Sequence, residues 1–220
     1  MPSTDLETQS CSIVLIGDFN PKIFQPAWFA SEGLVSGSVA ENAKIQVIHP
    51  ELTVLEFEDY RMQIEASKFL VATSSDPLFE VIRDLTLSTF ELLRHTPVRM
   101  MGINTEMHYR IDTEANWHAF GDKLVPKATW KTLLDSPGMR SVTVEEGKRR
   151  DGNPGKLLVK VEPSQRMKHG VYFHINDHFE LDATSKVVGA TQMMEVLRSS
   201  WTECQRRAKE IVDALLKDLH

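Results

Sequence analysis

The side chains best equipped for chemistry lie on two segments, VRMMGINTEMHYRI (98–111) and GVYFHINDHFEL (170–181). In the first, Glu106, His108 and Arg110 alternate with apolar residues; in the second, His174, His178 and Glu180 do the same. Such alternation marks a half-buried strand, so each trio shares one face. Histidine changes charge near neutrality and arginine grips carboxylate or phosphate in a fork, so if the two strands share a sheet face these six groups form a cluster able to titrate or bind an anion; the alternative is a solvated or subunit-covered face. His174 and His178 cannot share a metal ion, because residues four apart on a strand lie about 13 Å apart. That leaves His178 with Glu180, or a cross-strand set, and no metal is expected. Asp177 falls on the opposite face, among Val171, Phe173, Ile175, Phe179 and Leu181. A buried carboxylate is costly unless partnered, so Asp177 is a site candidate or is held by a neighbouring amide or arginine.

Gly17-Asp18-Phe19-Asn20 raises a different chemistry. It resembles the segment with which endonuclease/exonuclease/phosphatase enzymes place an aspartate and an asparagine beside a metal-bound phosphate. Asn176-Asp177-His178 resembles the segment that carries their general base. The resemblance implies a metal-dependent phosphodiesterase or nuclease, and it stops at those letters. In those enzymes a long half with a metal-binding glutamate comes first, whereas only sixteen residues precede Gly17. Asp18 and Asn20 ahead of Pro21 equally suit a turn from strand to helix. The chain shows no glycine-rich phosphate loop and no G-x-S-x-G, and no cofactor is expected.

The elements that must position these groups follow from periodicity. SIVLI (12–16) reads as a short strand, followed by a helix opened by Pro26 and closed by Gly33. Strands are expected over 43–49, 53–65 and 68–74, then a helix opened by Ser75 or Asp76 and stopped before Pro97. The order then recurs: strand 98–111, a helix capped by Asp112 or Thr113, three strands between 139 and 181, and a long helix from about Gly189. Both halves read β-α-β-β-β-α, which predicts an α+β fold of curved antiparallel sheet with helices on one face. The expected organisation is a disordered tail (1–10), a first repeat (11–97) and a second (98–220), packed as one unit. That order resembles the helix-grip or TATA-binding-protein-like arrangement, a likeness of fold that carries no function.

Composition narrows the classes. With 41% hydrophobic and 25% charged residues the chain is an ordinary folded one, and 220 residues suffice for a sizeable core. The net charge of −6 argues against nucleic acid as a partner. Residues 1–97 hold six basic and fourteen acidic side chains, whereas 98–220 hold nineteen and seventeen. The basic surplus sits in two loops, 145–156 and 163–170, read as solvated hairpin tips. No signal peptide or apolar run of membrane-spanning length is present, so a cytoplasmic location is expected. Cys11 and Cys204 lack C-x-x-C spacing and are expected to be reduced.

The last helix suggests interaction instead of catalysis. Leu197, Trp201, Cys204, Ala208, Ile211 and Leu215 recur at three- and four-residue intervals, a stripe that burial against the protein's own sheet explains best and whose surplus end, where the helix outruns that sheet, suits self-association. Its methionine and aromatic lining also suits a cavity for a small apolar ligand. Through FNPKIFQPAWF, LLRHTPVRMMGIN and VYFHINDHFEL, the whole chain resembles a family of bacterial proteins of similar length and scattered occurrence, one without assigned catalytic or binding residues. The expectation is a non-enzymatic interaction or assembly module that forms a homodimer or binds a protein partner, with a small-ligand-binding helix-grip domain as the alternative.

Overall fold

The computed structural model describes residues 4–181 and 189–217. Residues 1–3 of the expected tail and 218–220 of the expected last helix lie outside them. Two fourteen-residue strands, β1 (Thr4–Gly17) and β6 (Val98–Ile111), pair antiparallel at the centre of one sheet. Beyond β1 lie β5 (Lys68–Thr73), β4 (Tyr60–Glu65), β3 (Leu52–Glu56) and β2 (Lys44–His49). Beyond β6 lie β9 (Gly170–Glu180), β8 (Gly155–Pro163) and β7 (Val142–Glu146). The nine strands run β2-β3-β4-β5-β1-β6-β9-β8-β7, every neighbour antiparallel.

Alternation assigns the two faces. Cys11, Ile13 and Leu15 of β1 are buried with Met101 and Ile103 of β6 and Phe179 of β9. Every helix that contributes to the core sits on this side. α1 (Pro26–Ser31) adds Phe29, and α3 (Phe79–Leu92) adds Ile82 and Phe90. α4 (Glu114–Leu124), capped by the Thr113 hydroxyl, adds Phe120 to a second cluster with Met107 and Phe173. A further short helix, α2 (Gly37–Asn42), precedes β2. α5 (Thr191–Leu216) joins the two clusters, with Leu197 and Trp201 in the first and Ala208 and Val212 in the second. None of these helices is long and apolar enough to cross a membrane.

Three expectations require correction. Residues 4–10 are not a loose tail: they extend β1 along β6, with Asp5 opposite Arg110 and Thr8 opposite His108. Their polar sequence hid this, because the backbone ladder orders them rather than a buried face. Residues 53–65 are two strands, since the chain turns at Phe57 to Tyr60, where the Phe57 N–H donates to the Tyr60 carbonyl at 2.9 Å. The first half therefore has one strand more than the second. Finally, α5 has no surplus end: at about 1.5 Å per residue it spans about 39 Å, and its buried face continues to Val212 and Leu216 in the second cluster.

Candidate functional site

The side of the sheet without helices carries the polar groups. Register across β1, β6, β9 and β8 lines up Ser10, Glu106, His174 and Lys160 in one row. Thr8, His108, Tyr172 and Glu162 form the row beside it, and Ser12, Asn104, Asn176 and Leu158 the row on its other side. Glu106, His108 and His174 thus come together. Arg110 does not join them; it pairs with Glu7 of β1. His178 stands opposite Gly102, two rows from His174, and Glu180 lies opposite Met100 at the exposed strand end. The same face that gathers the first three spreads the others, because β6 and β9 are longer than a side chain can reach.

Hydrogen bonds commit most of the gathered groups to one another. The His174 Nε2–H donates to Asn104 Oδ1 at 3.1 Å, and the Tyr172 hydroxyl donates to the Glu106 carboxylate, which also accepts from Ser10 Oγ at 3.5 Å. Burial pushes the Tyr172 phenol above its ordinary range, reinforced by the charge of Glu106. Burial also holds both imidazoles below their ordinary value, helped at His108 by Arg166 and opposed at His174 by Glu106. Each ring is therefore neutral near neutrality.

His108 Nδ1 and Ser164 Oγ share a hydrogen bond at 2.8 Å, a nucleophile-and-base contact in form. That hydroxyl also accepts the Arg166 N–H at 3.1 Å within the β8–β9 hairpin, so the pair fastens the hairpin to the sheet. Sequence reasoning missed Ser164 because only the folded hairpin brings it back over β6. An open trough of about 1020 Å³ adjoins the cluster at the ends of β3, β4 and β5 and the middle of β1, lined by Ser10, Lys44, Glu56, Tyr60, Arg61 and Arg166 among others. Among the described residues no group of three or more His, Cys, Asp or Glu is placed to hold a metal ion.

Asp177 lies on the helix side, 1% exposed. Arg149 Nη1 donates to its Oδ1 at 2.9 Å, and Arg207 of α5 reaches the same oxygen. Arg149 also bonds Asp151 and stacks its guanidinium 3.8 Å above the Phe179 ring. Burial pushes the Asp177 carboxyl upward while the two guanidiniums pull it back down. Two cations and two anions thus neutralise one another beneath α5. The loop 145–156, expected as a solvated basic tip, is accordingly tied inward by Arg149, whose side chain is fully buried.

Gly17, Asp18 and Asn20 serve the strand end. A side chain at Gly17 would strike the Pro97 carbonyl oxygen at 2.2 Å. Asp18 forms an exposed pair with Arg99 at 2.8 Å, and Asn20 Oδ1 accepts the Lys22 N–H at 3.2 Å.

The seam on α5 is not a surface. Leu197, Trp201 and Ala208 are fully buried, Cys204 is 1% exposed, and Ile211 and Leu215 pack against the second cluster. The amphipathic stripe is buried against the chain's own sheet and helices. Exposed apolar groups occur on β2, where Ile45, Val47 and Ile48 are 55%, 38% and 42% exposed, and also at Val144 of β7 and at Trp130, Leu133 and Leu134. Comparison with protein-family models and with curated proteins finds no match to this chain.

Proposed function

We propose that this protein is a non-enzymatic assembly module that joins another polypeptide chain at the β2 edge of its sheet. One observation carries the reading: β2 is exposed along its whole length and presents Ile45, Val47 and Ile48 beside an unpaired row of backbone groups. Natural sheets blunt such edges with charge, because a flat apolar edge is a template for an added strand. The opposite edge, β7, exposes Val144 but flanks it with Glu145 and Glu146, paired with Lys156 and Arg150. Of charged or imidazole side chains β2 has Lys44 and His49 for the purpose.

The committed hydrogen bonds of Glu106, His174 and Ser164 favour a fixed surface over a reacting one. The test is the particle mass in solution across the micromolar range. The expected result is a mass above the 25.0 kDa of one chain, reduced to that value by Ile45→Lys with Ile48→Lys and unchanged by Val144→Lys on β7. A wild-type particle that stays monomeric throughout overturns the reading.

A further inference from the structure

Resting on that reading of β2, we infer that the strand added to it is β2 of a second copy, running antiparallel, with Ile45 of one chain opposite Ile48 of the other. The register follows from an irregularity in β2. In a regular strand, residues three apart lie on opposite faces. Here the ladder to β3 shifts between Ile45 and Val47, so that Ile45 stands opposite Leu55 and Ile48 opposite Thr53. Leu55 and Thr53 are both fully buried on the helix side, the first in the core and the second donating to the Pro21 carbonyl at 2.8 Å. The bulge at Gln46 therefore turns both isoleucines to one face. Lys44, opposite Glu56, and His49, opposite Leu52, fall together on the other.

Two copies related by a two-fold axis normal to the sheet keep their faces aligned, so a residue can oppose only a residue of the same face. Without the bulge an Ile45 to Ile48 match would violate that condition. With it, two isoleucine pairs form on the helix side, a favourable β-branched cross-strand match. On the other face Lys44 lies opposite His49 and comes beside Glu51 of the second copy. Among the described residues no ion pair includes Lys44 or Glu51, so the contact joins opposite charges that the single chain leaves apart. The product is one continuous sheet twice as wide, with both helix layers on the same side and the contact closed by symmetry.

Disulfide trapping tests the register. Ile45→Cys and Ile48→Cys are made singly in the full chain and oxidised mildly, each alone and as an equimolar mixture. Both sites are exposed, and the native Cys11 and Cys204 are 1% exposed with thiols pushed up to about 12, which keeps them silent. The expected result is a covalent dimer in the mixture and almost none in either variant alone, because like positions lie too far apart to bridge. Efficient crosslinking of either variant alone overturns the register. So does an uncrosslinked dimer in the mixture, although the β2 reading survives if Ile45→Lys with Ile48→Lys still dissociates it. Mass that grows without limit means β2 meets another edge and also overturns the inference; a strict monomer overturns both readings.

Discussion

Asp177 and Arg149 meet at 2.9 Å beneath α5 with side chains 2% and 0% exposed, so the hairpin between β7 and β8 is held by a charge pair inside the protein. Removing Arg149 takes away one of the two guanidiniums that compensate the buried Asp177 charge. Arg149→Met is expected to destabilise the protein by about 3–5 kcal/mol in urea unfolding. Arg150→Ala, whose side chain is 85% exposed, is expected to leave the midpoint in place. Equal midpoints for the two variants would remove Arg149 from any structural role.

Gly17 and Asp18 separate the structural from the catalytic reading of their motif. Gly17→Ala forces a methyl group against the Pro97 carbonyl and is expected to cost about 1–3 kcal/mol. Asp18→Ala removes only an exposed ion pair and is expected to leave the thermal midpoint unchanged. Magnesium-dependent phosphodiester cleavage that disappears in Asp18→Ala is the opposite outcome.

Trp201 is fully buried and its indole N–H donates to Glu80 Oε1 of α3 at 2.7 Å. Trp201→Ala is expected to destabilise by about 3–5 kcal/mol, measured in urea. Were α5 a surface seam, the variant would alter particle mass and leave the midpoint of the dissociated chain intact.

His108 and His174 set a pH dependence. Their folded-state values lie below the ordinary 6.5, so as pH falls the unfolded chain binds protons first. The stability they contribute is present above that value and declines below it toward the folded-state values. His174→Gln is expected to flatten the fall in unfolding free energy between about pH 7 and about pH 5. A slope identical to that of the wild type would show that the ring titrates as freely folded as unfolded.

The burial of both cysteines makes a simpler test. A thiol reagent is expected to label neither Cys11 nor Cys204 until denaturant is added, because desolvation raises both thiols to about 12. Rapid labelling of the native protein would place at least one of them at the surface.

Much of the fold was legible because period and burial coincide. The alternation of Phe173, Ile175 and Phe179 reports the helix side of β9, and the stripe from Leu197 to Ala208 reports the buried face of α5. Residues 53–65 are expected as one strand, although the apolar residues on either side of the turn between β3 and β4 shift from odd positions, Leu55 and Phe57, to even ones, Met62 and Ile64. The extension of β1 through residues 4–10 was not legible, since a backbone ladder leaves no mark in polar side chains.

By itself the sequence determined which residues point to which face, the α+β class, and that Asp177 would need a partner. Those properties depend on neighbours a few residues away, through the two-residue repeat of a strand and the helical repeat of α5. Only the tertiary structure decided that the partners are Arg149 and Arg207, that Glu106 meets His174 while His178 stays apart, and that the apolar residues of β2 are exposed while the stripe of α5 is buried. Each depends on strand order and register, which are fixed by contacts between segments far apart in the chain.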